Sequence, residues 1–152
     1  MTTGKFDIEQ FVKDMASRLS VIEGVLQSQA VDTLTESIPE VPLIQTYWSD
    51  INLTSGTDRW TMGGGGTKAI KQKVIGFVID VYVRQRSSIG EDMSAIHRYI
   101  DPITDMLENE DDKPYFGNQG IDSFTWSAER STFSYGDIDY AGIRFTLSVH
   151  TM

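Results

Sequence analysis

The chain has 152 residues, 22 of them acidic and 13 basic, which gives a formal net charge of -9. This length suits one domain, and we expect a single domain over residues 1–152. The acidic balance disfavours a nucleic-acid-wrapping protein, the lack of cysteine excludes disulfides and zinc–thiolate sites, and no apolar run is long enough to predict a membrane span.

The first predicted element is a helix over about residues 8–28. Asp7 is placed to cap it, and Phe6 and Phe11 have the spacing of a hydrophobic staple. Pro39 and Pro42 exclude helix from the connector that follows. A strand with both faces partly apolar is then predicted over residues 41–51. The helix is expected to bury one apolar stripe, made of Ile8, Phe11, Met15, Leu19, Ile22 and Leu26.

The next segment, about residues 52–70, is rich in glycine, threonine, serine and aspartate and shows little periodicity. Four consecutive glycines at residues 63–66 raise the question of a phosphate-binding loop. A P-loop needs a Gly-Lys pair between a strand and a helix, whereas here Thr67 precedes Lys68 and a strand follows. We therefore interpret the segment as a long, flexible, glycine-rich arm, of a length that is usually functional or disordered.

The arm carries Arg59, Trp60 and Met62, which are residue types enriched in the cores of protein interfaces. Trp60 would gain burial either by folding back onto its own sheet or by lying on another chain. Both interpretations are open from the sequence. The second makes the arm a candidate contact between subunits.

The run KVIGFVIDVYVRQ, residues 73–85, has the clearest strand pattern. Its odd-numbered residues from Ile75 to Val83 are all apolar. The period of two therefore places them on the core and Asp80 on the opposite face, with Tyr82 and Arg84.

A second helix is predicted to begin at Ser88, because Ser88 and Glu91 match a capping box. Pro102 lies inside its apolar stripe and predicts a kink or break there. His97 and Asp101 are one turn apart and could pair, but a third metal ligand is not evident. The acidic run after Glu108 lacks the spacing and the glycine of an EF-hand, so no metal site is predicted.

Two strands close the chain. In IDSFTWSAER, Phe124, Trp126 and Ala128 share a face, and in IRFTLSVHTM the alternate residues from Ile143 to Val149 share a face. A turn is predicted at residues 134–137. The order α-β-β-α-β-β predicts an α+β fold, a two-layer sandwich with a mostly antiparallel sheet and two helices packed on one face.

Basic side chains are predicted to gather on the polar face of the sheet, where they could meet the acidic surface of a neighbouring copy or simply aid solubility. No phosphate-binding, dinucleotide-binding, metalloprotease or hydrolase motif is present, so we predict a protein that is not an enzyme, with no catalytic residue, cofactor or metal. The predicted subunit-interface residues are Arg59, Trp60, Met62, Gly63, Gly64, Gly65, Gly66, Arg84, Arg86 and Arg144.

The element order and the C-terminal half resemble the tail-terminator family of long-tailed bacteriophages, also described as minor tail or tail-completion proteins. The resemblance covers about residues 5–152 and rests on KVIGFVIDVYVRQ, a helix carrying HRYIDPITDMLE, and strands ending in IRFTLSVHTM. It implies a homohexameric ring in the virion, assembled in the host cytoplasm, that stops tail-tube polymerisation and joins the tail to the head. The implied partners are further copies of the chain, the tail tube protein and the head–tail connector protein; DNA would cross the lumen without specific binding.

Two other functions stay open from the sequence. One is another neck or head-completion protein at the head–tail interface, which would share ring symmetry but contact the portal side. The other is a small hydrolase or ligand-binding domain in which the glycine-rich arm closes over a cleft as a lid. A deep pocket with convergent polar groups beneath the arm would favour the latter.

Overall fold

The fold is known from a computed structural model that describes residues 6–30, 41–56, 70–108, 121–135 and 137–151. The described chain contains two helices and five strands, which confirms the predicted α+β class. The elements in chain order are α1 (Ile8–Ser20), β1 (Gln27–Gln29), β2 (Leu43–Gly56), β3 (Ile70–Gln85), α2 (Ile89–Glu108), β4 (Ile121–Tyr135) and β5 (Ile138–Thr151).

The five strands form one sheet in the order β1-β2-β3-β5-β4. β1 lies parallel to β2, and the other neighbours are antiparallel. The sheet is therefore mixed, and the predicted order α-β-β-α-β-β was incomplete because it lacked β1. That strand is only three residues long, Gln-Ser-Gln, and forms by pairing with a distant segment. A strand this short and polar shows no apolar alternation from which it could be predicted.

Helix α1 is shorter than predicted, since it ends at Ser20 instead of continuing to about residue 28. Its start is as expected, because the Asp7 carboxylate accepts a hydrogen bond from the Gln10 backbone N–H at 3.2 Å. Gly24 has a φ of +93° and turns the chain towards β1, a conformation that a helix cannot contain. Leu26, the last residue of the predicted stripe, is 59% exposed.

The main core lies between the two helices and one face of the sheet. The odd-numbered residues of β3 point into it, as the alternation predicted, and the rings of Phe11 and Phe77 pack with their centroids 4.5 Å apart. Trp126 and Ala128 are opposite the core residues Leu147 and Phe145 of β5, which confirms that these two share a face, and the Phe124 backbone pairs with Val149. The largest fully buried side chains include Phe11, Met15, Leu19, Ile79, Ile103, Phe145 and Leu147.

Helix α2 runs without interruption from Ile89 to Glu108, so the break predicted at Pro102 does not occur. Pro102 is on the exposed side of the helix, where the carbonyl group that loses its helical donor can reach water. The buried residues Ile96 and Ile103 anchor the helix on either side of it. At the N-terminus, Ser88 Oγ accepts a hydrogen bond from the Glu91 backbone N–H at 3.4 Å, which is half of the predicted capping box.

Candidate functional site

The face of the sheet opposite α1 and α2 is hereafter called the open face. Within the described ranges no helix lies against it, because both helices pack on the other side. Asp80 lies on this face, as predicted, but it is only 3% exposed. A carboxylate this deeply buried must be compensated by neighbouring donors.

The two strands on either side of β3, β5 and β2, supply those donors. Arg144 Nε donates to Asp80 Oδ1 at 2.7 Å and Arg144 Nη2 donates to Asp80 Oδ2 at 3.1 Å, a two-point pairing. The Tyr47 hydroxyl donates to Asp80 Oδ2 at 2.6 Å. The strand register explains the meeting, since Asp80 is directly opposite Arg144 on β5. We call Tyr47, Asp80 and Arg144 the charged network.

The surroundings of Tyr47 and Arg144 set the protonation state of these two side chains at neutral pH. Burial, and then the hydrogen bond to Asp80, raise the pKa of the Tyr47 hydroxyl above its ordinary value, so this group stays neutral. The hydrogen bond to Asp80 raises the pKa of Arg144, so this group stays cationic. The Asp80 carboxylate accepts three hydrogen bonds, two from the Arg144 guanidinium and one from the Tyr47 hydroxyl, so both of its oxygens are engaged within the subunit. The charged network therefore joins β2, β3 and β5 through side-chain hydrogen bonds.

Aromatic side chains extend the open face beside the charged network. The rings of Tyr82 and Phe133 stack with centroids 4.5 Å apart, and Tyr140 packs edge-on against Tyr82. The Arg144 guanidinium lies 5.4 Å from the centroid of Phe133, within range of a cation–π contact. Gly142 makes this packing possible, because a Cβ atom there would lie 2.7 Å from Phe133 Cε2 and 2.0 Å from a backbone carbonyl oxygen.

The three arginines predicted to cluster do not share a face. A register shift after Tyr82 places Arg84 opposite Ala141, on the helix side of the sheet. There the Arg84 guanidinium lies 3.4 Å from the carboxylates of Glu91 and Asp92 at the start of α2. Arg86 lies near the same end of α2, whereas Arg144 belongs to the charged network on the open face.

The far end of the β2–β3 pair projects beyond the rest of the sheet. β2 and β3 pair as far as Gly56 and Ile70, but β3 pairs with β5 only from Val74 onwards. In the part of the chain that the structure describes, residues 53–56 and 70–73 therefore form a two-stranded extension, which we call the ribbon. At the base of the ribbon, the Thr151 hydroxyl accepts a hydrogen bond from the Lys73 backbone N–H and donates one to the Lys73 carbonyl oxygen. Two-stranded ribbons are marginally stable in water on their own.

Two large apolar side chains near the base of the ribbon face solvent. Trp48 is 47% exposed and Ile51 is 45% exposed. They lie opposite the core residues Phe77 and Ile75, and so on the helix side of the sheet, where α1 does not cover them. Exposed tryptophan beside exposed isoleucine is a combination enriched at protein contacts. The sequence did not single them out, because the mixed apolar pattern of β2 left its register undetermined.

The arm residues predicted to contact a neighbour, Arg59, Trp60, Met62 and Gly63–Gly66, lie outside the described residues. The interface role assigned to them and to the arginines stays a prediction. The arm was predicted over about residues 52–70, but residues 52–56 belong to β2 and residue 70 to β3, so both ends of the predicted arm are strand and only residues 57–69 lie outside the described elements.

His97 and Asp101 are both described, and the structure records no ion pair between them. Among the described residues, no group of three histidine, aspartate or glutamate side chains is placed to hold a metal ion. Neither of the two described helices is long and apolar enough to cross a membrane.

Comparison with protein-family models finds none that matches this chain, and a search of curated proteins finds no match.

Proposed function

We propose that this protein forms a ring at the head-proximal end of a phage tail tube, where it ends tube growth and joins the tail to the head connector. The proposal begins from the resemblance in the sequence. The structural observation that supports it most is the ribbon together with the exposed Trp48 and Ile51 near its base. An assembling protein needs such a surface, whereas a monomer gains nothing from it.

The ribbon has a physical reason to bind another chain. Complete burial of a side chain of this size contributes about 1.5–3 kcal/mol, and roughly half of that remains available at Trp48 and Ile51 because each is already half-buried. A neighbour that covers them would also support the two-stranded extension, which is marginally stable without further strands.

A ring requires head-to-tail contacts, in which each copy presents two different, complementary surfaces. The ribbon is one of them in this proposal. The net charge of -9 agrees with passage of DNA through the lumen, since carboxylates do not retain phosphates. The charged network suits a ring subunit because it fixes three strands rigidly and exposes part of Arg144 for a partner.

The test compares two matched substitutions by native mass spectrometry and light scattering. Ile51→Glu places a charge beside the ribbon, whereas Ile138→Glu places the same charge at the opposite end of the sheet, where the isoleucine is 39% exposed. We expect Ile51→Glu to abolish assembly or to weaken it by at least about tenfold, while Ile138→Glu assembles like the wild-type protein. Equal behaviour of the two variants would contradict the role of the ribbon.

A second variant addresses the arm. Deletion of Gly63–Gly66 is expected to impair assembly on tail tubes with little change in the free energy of unfolding. Circular dichroism in urea checks the fold of the deletion variant, and capping of purified tubes checks its function. Unchanged capping would remove the arm from the proposed interface.

A further inference from the structure

A cavity of about 160 Å³ lies between the N-terminal part of α2 and the strands β4 and β5. Its apolar lining comes from Met93, Ile96 and Ala141, together with Ile89, which is itself 70% exposed. Two arginines, Arg86 and Arg130, line it. The cavity is on the helix side of the sheet, away from both the charged network and the ribbon.

The two arginines differ from the other arginines of the sheet. Arg84 and Arg144 are neutralised within their own subunit, by Glu91 with Asp92 and by Asp80 respectively. Within the described ranges, no carboxylate forms an ion pair with Arg86 or Arg130. Arg130 Nη1 has instead a 3.1 Å contact to a thioether sulfur, that of Met93, which is a weak acceptor.

A carboxylate does line the cavity, that of Asp92, but its capacity is already used. Both of its oxygens accept from the Ser87 backbone N–H at 3.3 Å, and Arg84 Nε lies 3.4 Å away. Thr132, which is opposite Ala141, adds a polar side chain to the lining, whereas the side chain of Ser131, opposite Gly142, alternates to the open face. Within the described part of the chain, the cavity therefore offers two arginines that no carboxylate neutralises, beside apolar side chains, which suits a carboxylate carried on a methylene stem.

Carboxylates of that kind are displayed on the same chain. The C-terminal half of α2 carries Asp101, Asp105 and Glu108, all exposed and spaced one turn apart on one side of the helix. On α2 they lie 5, 9 and 12 residues beyond Ile96, the last helical residue that lines the cavity, which is about 7, 13 and 18 Å along the helix axis at 1.5 Å per residue. Among the described residues, none of the three forms an ion pair with Arg86, Arg130 or any other cation.

We infer that the cavity between α2, β4 and β5 receives the acidic row Asp101, Asp105 and Glu108 from a second copy of this chain, with Arg86 and Arg130 pairing to its carboxylates. The contact joins two different surfaces, so it is head-to-tail and can close a ring. The inference rests on the proposed ring function, to which it adds the charged contact between neighbouring subunits. The cavity is basic and the row is acidic, so their charges are complementary. In a chain with nine more acidic than basic residues, this complementarity selects the partner surface.

Charge reversal on each side of the contact tests it. The cavity variant carries Arg86→Glu with Arg130→Glu, and the row variant carries Asp101→Lys with Asp105→Lys. Each alone opposes like charges, and we expect its self-association to weaken by about 10- to 100-fold. The fourfold variant restores opposite charges with the polarity exchanged, so its association should return to within about threefold of the wild type. Sedimentation velocity at two salt concentrations measures all four proteins.

The control is Glu23→Lys, which reverses an exposed charge between α1 and β1, outside both surfaces. It should leave association unchanged. Wild-type protein that stays monomeric at its highest soluble concentration, or a fourfold variant no better than the two double variants, would overturn the inference. Association that is unchanged in the cavity variant, with binding of succinate lost, would reassign the cavity to a small anionic ligand.

Tube capping separates this inference from the proposed function. If the wild-type protein caps tubes and the charge variants cap them equally well, the function stands and the charged contact is wrong. If the charge variants behave as expected in solution but the wild-type protein never binds tubes, the contact stands and the function is wrong.

Discussion

The two faces of the sheet reach similar burial by different means. The helix face is covered by α1 and α2 and filled with aliphatic and aromatic side chains, with Phe77 at its centre. The open face carries Asp80, a carboxylate, at almost the same depth. It is shielded by its own neighbours, Tyr47, Arg144 and the rings of Tyr82 and Phe133.

The difference teaches what each face can contribute. Apolar packing on the helix face supplies stability in proportion to buried area. A buried ion pair contributes little net stability, because desolvation offsets most of the attraction, but it costs much when one partner is lost. We interpret the open face as a rigid polar surface and the helix face as the source of stability. The predictions below set one face against the other.

The largest effect is expected on the helix face. Phe77→Ala removes a fully buried ring that packs against Phe11 and Phe6. The lost contacts and the cavity should lower the free energy of unfolding by about 3–5 kcal/mol. Urea denaturation followed by circular dichroism measures it, with the exposed Ile138→Ala as a control that stays within about 1 kcal/mol. If Phe77→Ala lowered the free energy of unfolding by less than about 1 kcal/mol, the core would have to lie elsewhere.

The next effect is on the open face. Asp80→Ala leaves Arg144 and Tyr47 without their acceptor, and we expect a loss of about 2–4 kcal/mol, less than for a wholly buried pair because the Arg144 side chain is 40% exposed. Asp50→Ala, which removes an exposed carboxylate bonded to Ser49 and Asn52, should cost about 0.5 kcal/mol or less. Equal losses from the two substitutions would contradict the charged network.

Two glycine-to-alanine substitutions compare how tightly the open face and the start of α2 are packed. Gly142→Ala places a methyl group against Phe133 and the Val81 carbonyl oxygen beneath the aromatic cluster, and should cost about 1–3 kcal/mol. Gly90→Ala adds the same methyl group in the first turn of α2, where nothing lies within 4 Å, and should be neutral or stabilising by up to about 1 kcal/mol. Thermal melts of both variants give the sign directly. A tolerated Gly142→Ala would show that the cluster packs loosely.

The smallest effect concerns pH. The raised pKa of Tyr47 means that the folded protein keeps a proton that the unfolded chain releases above about pH 10. The stability from this group is therefore complete below pH 10 and declines as the pH rises further. Tyr47→Phe should cost about 1 kcal/mol at neutral pH and make the decline above pH 10 shallower. Tyr99, whose pKa burial also raises, keeps part of the slope. An unchanged slope in Tyr47→Phe would place the Tyr47 hydroxyl in water.

The sequence predicted those features that depend on unbroken local periodicity. The alternation in β3 placed Asp80 on the correct face, and Asp7 was correctly identified as a cap. The prediction failed where a single residue or a strand distant in sequence determines the local structure. Gly24 ends the helical stripe early, pairing with β2 creates β1, and a register shift after Tyr82 turns Arg84 towards α2.

The candidate site was less predictable than the fold. The identity of Arg144 as a partner of Asp80 depends on strand register, which alternation alone does not set between distant strands. The exposure of Trp48 and Ile51 depends on the register of β2 with β3 and on how much of the sheet the helices cover, which the mixed apolar pattern of β2 does not determine. Long-range packing, not residue type, decides both.

The central claim is that this chain ends the tail tube. Electron microscopy of tails purified without heads, with an antibody against this protein, tests it most directly. The account predicts label at one end of each tube, at the end that binds heads, and tubes of excessive length when the protein is absent. Label confined to heads, or tubes of normal length and normal head attachment without the protein, would contradict it.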